Sequence, residues 1–143
     1  HKAIEENSEL KKQAEEFVKE KMINIKQKLI QQAELHNGIR LIRFNSIMAP
    51  EIVKGIAFQL RGEIMENLAF VAGTTDNSGK PLLTIMLSDN LVDEGKNASA
   101  IIREAAKLIQ GGGGGQPHFA QAGGKNADGI SEATEKMIQL ILE

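Results

Sequence analysis

Apolar residues recur every three or four positions through the first 35 residues, with lysine and glutamate between them. This period predicts an amphipathic helix over residues 2–35. Such a helix is about 50 Å long, more than a small domain covers with its own surface. We therefore expect its apolar side to contact a partner helix or another part of a longer protein, although a helix packed on its own domain gives the same pattern. The positions proposed for this contact are Leu10, Ala14, Phe17, Val18, Met22, Ile25 and Leu29.

The rest of the chain alternates short apolar runs with helical stripes. Strands are predicted at 39–47, 68–75, 82–88 and 119–122, and helices at 50–65, after the cap Asn97, and after a cap at Asn126 or Asp128. Turn-forming residues at 76–80 favour a hairpin between the second and third strands. The sequence thus predicts an α+β fold: a long, coiled-coil-like helix over 1–36, then a small mixed-sheet domain over 37–143 of β-α-β-β-α-β-α order.

Length and composition fit one folded domain with an appendage, since the chain has 143 residues and 41% hydrophobic content. No run of 18 apolar residues and no signal peptide occur, so we expect no membrane partner. The chain also has no cysteine for disulfides, and we expect a cytoplasmic protein. The chain begins with His1 instead of Met, and we expect it to be a fragment of a longer protein.

Candidate chemistry for catalysis is sparse. The chain has no cysteine, and its three histidines are too scattered to predict a metal site. His118 has no identifiable nucleophile as a partner, so no residue is assigned a catalytic role. The net charge of -2 and the lack of Trp and Tyr argue against a strong, autonomous nucleic-acid binder, and no DNA partner is expected.

Residues 111–124 contain five consecutive glycines, a short semi-apolar segment and two further glycines. Ordering glycine costs roughly 0.5–1 kcal/mol more than ordering alanine, so this run needs a backbone reason. A flexible linker is one interpretation, but helical patterns on both sides argue against it. A Walker loop is excluded because Phe119 and Asn126 stand where it needs Gly and Ser or Thr, and no Gly-x-Gly-x-x-Gly occurs.

The position of this segment between two helices determines which ligand suits it. The carboxyl end of the preceding helix repels anions. The N–H groups at the start of the last helix, near 126–129, and the charge of Lys125 suit a phosphate or a nucleobase that approaches the bare backbone. Close packing of a strand, a helix end and a loop explains the glycines without any ligand. The basic residues available for phosphate contacts are Arg40, Arg43, Arg61, Lys96, Arg103, Lys107 and Lys125.

The segment reads Gly-Gly-Gly-Gly-Gly-Gln-Pro-His-Phe-Ala-Gln-Ala-Gly-Gly. It resembles the glycine-rich motif in the C-terminal domain of alanyl-tRNA synthetases, a relative of the C-terminal domain of DHH phosphoesterases. The long leading helix and the Asn97-Ala98 helix start extend the likeness over nearly the whole chain. Gln116 stands where family members commonly carry a basic residue, and His118-Phe119 stand where they carry Asp-Met.

The resemblance implies a non-catalytic domain that contacts the outer corner of alanine tRNA. It also implies that the domain helps bring the catalytic and editing domains of the same protein onto one tRNA, and that some members form homodimers. No cofactor is implied for this chain, whereas a parent ATP-dependent alanine–tRNA ligase would use ATP, magnesium and zinc. The residues expected to contact RNA are Gly111, Gly112, Gly113, Gly114, Gly115, Gln116, His118, Gln121, Gly123, Gly124, Lys125, Arg103 and Lys107.

Two other functions remain open at this point. The chain also resembles the substrate-binding half of a DHH-type phosphoesterase, but those relatives place a histidine directly after three glycines, and here Gln116-Pro117 intervene. The apolar seam of the first 35 residues is also compatible with a pure oligomerisation module.

Overall fold

The computed structural model describes residues 23–36, 38–48, 50–76 and 78–142. Its helices are α1 (23–31 in the described part), α2 (Pro50–Glu63), α3 (Asp89–Asp93), α4 (Ala98–Ala106) and α5 (Ile130–Leu142). Its strands are β1 (Glu34–His36), β2 (Ile39–Ile47), β3 (Leu68–Thr75), β4 (Pro81–Leu87), β5 (Gly112–Gly115) and β6 (Phe119–Gly123). Short 3-10 turns at Lys107–Ile109 and Ala127–Gly129 follow α4 and precede α5.

The strands of the described residues form one six-stranded sheet in the order β1-β2-β3-β4-β6-β5. β2 and β3 run parallel, because α2 carries the chain back between them, and the other neighbouring pairs are antiparallel. β5 therefore lies at one edge of the described sheet, and it reaches that edge only through its pairing with β6.

Helices cover both faces of the sheet. Side chains alternate along the strands, so Val71 and Ile85 pack towards α4 and α5, whereas Phe70 and Met86 pack towards α1 and α2. Burial of a large apolar side chain stabilises the fold by about 1.5–3 kcal/mol, so these two apolar layers supply most of the driving force. The result is a three-layer arrangement in which α4 packs on β4, β5 and β6 from one side of the sheet and α2 packs on β4 from the other.

The prediction of one long helix over 2–35 is wrong. Helical residues end at 31, and Glu34–His36 is a strand that pairs antiparallel with β2. Gly38, at φ 83°, takes the left-handed conformation that the tight connection between these strands requires. Leu35 is 71% exposed, so this short strand is held by backbone pairing and buries no apolar face that a sequence pattern would reveal. The earlier part of the predicted helix, residues 1–22, lies outside the described residues.

The predicted β-α-β-β-α-β-α order is also wrong. The described elements run α-β-β-α-β-β-α-α-β-β-α, with β1, α3 and β5 added to the prediction. The predicted strands at 39–47 and 68–75 are confirmed with the same bounds, and the hairpin between β3 and β4 is confirmed. Asp76 shapes that hairpin, since its Oδ1 accepts hydrogen bonds from the N–H groups of Ser78 at 2.8 Å and Lys80 at 3.0 Å.

Candidate functional site

The glycine run forms a β-hairpin where the sequence predicted a loop. Gly112–Gly115 pairs antiparallel with Phe119–Gly123, with Gly113 opposite Ala122 and Gly115 opposite Ala120. The three-residue turn closes with a hydrogen bond from the N–H of Gln116 to the carbonyl oxygen of Phe119 at 2.8 Å. We call this structure the glycine hairpin.

Close packing explains alternate glycines of the run. A Cβ atom on Gly113 would lie 2.6 Å from the Cα of Ala122, and one on Gly115 would lie 2.6 Å from the carbonyl oxygen of Phe119. A Cβ on Gly111 would lie 2.5 Å from the Cα of Gly124. Any side chain at these three positions would push β5, or the residue before it, away from the opposite strand, so the hairpin itself requires glycine there.

Packing does not require glycine at position 112. A Cβ atom on it would meet nothing within 4 Å, and its opposite residue, Gly123, would place a Cβ 3.9 Å from the carbonyl oxygen of Pro81. Neither residue has a positive φ. The pair is exposed, so it leaves bare backbone at the surface that the protein's own packing does not demand.

Backbone hydrogen bonds fix the hairpin to α4 and β4. The N–H of Ala98, the first residue of α4, donates to the carbonyl oxygen of Pro117 at 2.8 Å, and the N–H of Leu87 donates to that of His118 at 2.8 Å. At the other end, the N–H of Gly111 donates to the carbonyl oxygen of Ala106 at 3.0 Å. Gln110 turns the chain from helix to strand in the left-handed conformation, at φ 55°.

The free N–H groups expected at the start of the last helix are occupied by the protein itself. Those of Lys125 and Asn126 both donate to the carbonyl oxygen of Ile109, at 2.8 and 2.9 Å. The side chain of Asn126 accepts from the N–H of Asp128, which confirms Asn126 as a cap. The prediction that residues 126–129 offer these groups to an anion is therefore wrong at these positions, because the turn closes on Ile109.

Two shallow grooves flank the hairpin. The first, which we call the Lys125 groove, has a volume of about 410 Å³ and is lined by Asp76, Lys80, Gly111, Gly123, Gly124 and Lys125, among others. Lys80 and Lys125 give this groove two positive charges beside the glycine backbone, and Asp76, whose Oδ1 accepts from two backbone N–H groups, gives it one negative charge. Sequence reasoning missed Lys80, because only the β3–β4 hairpin brings it beside Lys125.

The second groove, which we call the Phe58 groove, has a volume of about 300 Å³. It is lined by Lys54, Phe58, Gly114, Gly115, Gln116, His118, Phe119, Ala120 and Gln121. Gln121 is oriented by a hydrogen bond from its Nε2 to Thr84 Oγ1 at 3.2 Å. Lys54 and Phe58 come from α2, and sequence reasoning did not assign either of them to the site.

The structure separates the basic residues proposed for phosphate contacts. Several have partners within the protein. Arg43 forms an ion pair with Glu135 at 2.6 Å, and Arg61 forms one with Asp89. Lys96 donates to the carbonyl oxygen of Ile141 at 2.5 Å, and Lys107 contacts Glu104 at 3.4 Å. Arg103 lies beside the hairpin, with its Nε 3.6 Å from where a Cβ of Gly114 would be. Arg103 and Lys125 are thus the predicted basic residues that the fold brings to the glycines.

Two of the predicted oligomer contacts lie in the described residues after position 22. Leu29 is 5% exposed and shares an apolar cluster with Val53 and Ile56 of α2, and Ile25 packs against the same cluster. Lys26 adds an ion pair with Glu63 at 2.5 Å. These contacts join α1 to α2 within the chain. The candidates Leu10, Ala14, Phe17, Val18 and Met22 lie outside the described residues.

Neither a membrane-spanning helix nor a metal-binding cluster occurs in the described part of the chain. No helix there is both long and apolar enough to span a membrane. No three His, Asp or Glu side chains of residues 23–36, 38–48, 50–76 and 78–142 gather closely enough to hold a metal ion.

Comparisons with a family model and with curated sequences agree with each other. The model of the DHHA1 domain matches residues 36–143. The chain is 59% identical over 139 residues to the alanine–tRNA ligase of Bacteroides thetaiotaomicron, covering 97% of this chain and 16% of that protein. It is 48% identical over 132 residues to that of Parabacteroides distasonis, covering 92% and 15%. The chain thus spans about one sixth of the length of these curated relatives.

Solved structures agree with these relatives. The C-Ala domain of Aquifex aeolicus alanyl-tRNA synthetase superposes with a TM-score of 0.68 and 27% identity, covering 78% of this chain and 98% of that domain. A DHH domain described as a member of a family of ribosomal proteins has a TM-score of 0.57 at 15% identity, covering 87% of this chain and 31% of that one, which shows a shared fold only. The resemblance drawn from the glycine segment is therefore confirmed, and the chain belongs to the DHHA1 domain family.

Proposed function

We propose that this chain is a non-catalytic, tRNA-contacting domain of an alanine–tRNA ligase. The proposal rests on the exposed Gly112–Gly123 pair, two glycines that neither backbone conformation nor internal packing requires. Bare backbone of this kind lets a large, rigid ligand approach without a steric barrier. The similarity to alanine–tRNA ligases supports alanine tRNA as that ligand.

Charge around the hairpin supports RNA as the ligand and limits the affinity. Lys80 and Lys125 lie at one side of the glycines, and Arg103 lies at another. Each phosphate neutralised by such a group releases counterions and contributes to binding. The net charge of -2 keeps the overall attraction weak, so recognition of a folded RNA shape is favoured over sequence readout.

A gel-shift titration with alanine tRNA at low salt tests the proposal. We expect tighter binding to the tRNA than to an unstructured RNA of the same length. Lys125→Glu removes one phosphate contact, so it should weaken binding and lower the slope of log K against log salt by about one. Lys28→Glu is the matched control, because Lys28 is exposed on α1 and lines neither groove. Equal binding of both RNAs would count against the proposal.

A steric substitution tests the role of the exposed glycine pair directly. Gly112→Leu places a side chain over the exposed backbone and should weaken tRNA binding without unfolding the domain. Gly62→Leu is the control, since a Cβ on Gly62 also meets nothing within 4 Å and Gly62 lies near the end of α2, outside the glycine hairpin. Unchanged affinity in Gly112→Leu would show that tRNA does not approach this backbone.

The remaining parts of the proposal concern the longer protein. The catalytic and editing domains of the same ligase are its intramolecular partners, and the use of ATP, magnesium and zinc belongs to those domains. The proposed place of action is the cytoplasm, where tRNA is aminoacylated. Homodimerisation through the apolar seam that begins at Leu10 stays a prediction.

A further inference from the structure

Two phenylalanine rings stack at the wall of the Phe58 groove. Phe58 comes from α2 and Phe119 from β6, and their centroids lie 5.1 Å apart with an angle of 26° between the ring planes. Phe119 packs partly against the apolar cluster beneath α2, whereas Phe58 is 42% exposed. The pair is therefore anchored in the core on one side and open to solvent on the other.

A positive charge lies at the rim of this aromatic pair. Lys54 is one helical turn before Phe58, and its Nζ lies 5.9 Å from the Phe58 centroid and 6.0 Å from the Phe119 centroid. Attraction between an ammonium group and the ring faces helps hold the lysine there. An apolar surface bordered by a cation suits a ligand that is flat, aromatic and attached to an anion.

The other wall of the groove supplies hydrogen-bonding groups and room. Gln116, His118 and Gln121 line it with polar side chains, and Gly114 and Gly115 line it with bare backbone. Nucleobases carry donors and acceptors on their edges and a π surface on their faces, so both walls match one base.

The distribution of cations around the hairpin fits the backbone of the same ligand. The Phe58 groove is lined by one lysine, Lys54, and no arginine. The other lysines near the glycines, Lys80 and Lys125, line the Lys125 groove. This placement is compatible with an RNA backbone that passes along the hairpin from one groove to the other.

We propose that Phe58 and Phe119 form a stacking platform for one exposed nucleobase of a folded RNA, with Lys54 contacting the adjoining phosphate. This inference rests on the RNA-binding function proposed above and assigns a role to Lys54 and Phe58. The base stacks on the open side of Phe58, and its edge meets the polar groups of the glycine hairpin. The phosphates continue across Gly112 towards Lys125.

The absence of tryptophan from the chain allows a direct test. Phe58→Trp keeps an aromatic ring on the platform and introduces a single fluorophore, whose emission is quenched when a base stacks on it. Met65→Trp is the matched control, because Met65 is 72% exposed, follows α2 and lines neither groove. Both variants are titrated with alanine tRNA, and gel shifts are measured on the same samples.

We expect alanine tRNA to quench Phe58→Trp with the midpoint seen in the gel shift and to leave Met65→Trp unchanged. Phe58→Ala should raise the Kd about 5- to 150-fold, the range for loss of one base–aromatic stack, and Phe58→Trp should restore it. Lys54→Gln should lower the salt slope by about one.

Three results would overturn the platform. A gel shift without quenching of Phe58→Trp would place the RNA elsewhere and leave the proposed function intact. Equal quenching by free adenosine monophosphate at the same concentration would indicate a mononucleotide pocket. No gel shift with any variant or with the unchanged chain would remove both the platform and the proposed function.

Discussion

Gly112 and Gly113 are neighbours on β5, and the same substitution should affect them in opposite directions. At Gly112 an added methyl group meets nothing within 4 Å, and the backbone conformation accepts an L-residue. Gly112→Ala therefore reduces the conformational freedom of the unfolded chain and should stabilise the domain by about 0.4–1 kcal/mol. At Gly113 the same methyl group lies 2.6 Å from the Cα of Ala122 and 2.8 Å from its Cβ.

The two variants gain the same free energy of unfolding from the reduced freedom of the unfolded chain, so this contribution cancels when they are compared. The remaining difference in their free energy of unfolding is the cost of the overlap at Gly113. Overpacking of this kind costs about 1–3 kcal/mol, and Gly113→Ala should therefore be the less stable variant by that amount. With a urea m-value of about 1–3 kcal/mol/M, the unfolding midpoints should separate by roughly 0.3–3 M.

Urea unfolding followed by far-ultraviolet circular dichroism measures this difference, since the chain has no Trp or Tyr to report by fluorescence. Gly115→Ala gives a second closed position, because its Cβ would lie 2.6 Å from the carbonyl oxygen of Phe119. If all three variants unfold at the same urea concentration, β5 is not packed on β6 as described. The flexible-linker interpretation of the run would then be correct.

Two further predictions concern the support of the site and the strand before it. Asn97 caps α4, since its Oδ1 accepts a hydrogen bond from the N–H of Ala100 at 3.1 Å. Asn97→Ala removes this cap and should lower the free energy of unfolding by about 1 kcal/mol in a urea or thermal unfolding experiment. Asn97→Ser should retain most of that stability. The hydrogen bond from His36 to Glu34 at 2.9 Å, with the charge of Arg43, holds the pKa of Glu34 below its usual range. Because this pKa is lowered in the folded state, the stabilising contribution of the carboxylate is present above the unfolded pKa and lost as the pH falls through the folded one. An NMR titration should show the Glu34 midpoint rising in His36→Ala, and an unchanged midpoint would refute this assignment.

Strong side-chain patterns made much of the fold predictable. The strands at 39–47 and 68–75 carry dense runs of apolar and β-branched residues, and Asn97 is followed by a clear helical stripe, so these elements agree with the structure. β1 was not predicted, because Glu34–His36 continues a Lys/Glu-rich helical period and its pairing with β2 involves backbone only.

The site, too, could be predicted only where side chains form a pattern along the sequence. Glycines have no side-chain pattern, so nothing in their order indicates that 112–115 forms a strand; its pairing with β6 defines it. Nor does sequence order bring Phe58 to Phe119, because the contact exists only when α2 packs over the sheet. The N–H groups near Asn126 were predicted to be free, and only the three-dimensional position of Ile109 shows that they are occupied.

The composition of the edge strand β5 also bears on how the domain avoids self-association. An edge strand exposes unpaired backbone groups that can pair with a strand from another molecule, and many proteins prevent this with charged side chains or proline. Gly112–Gly115 has neither, yet it offers an incoming strand no side chains to pack against. Glycine is also among the residues least suited to extended sheets, since ordering it costs the most entropy. The edge is thereby open to a rigid ligand and a poor template for aggregation.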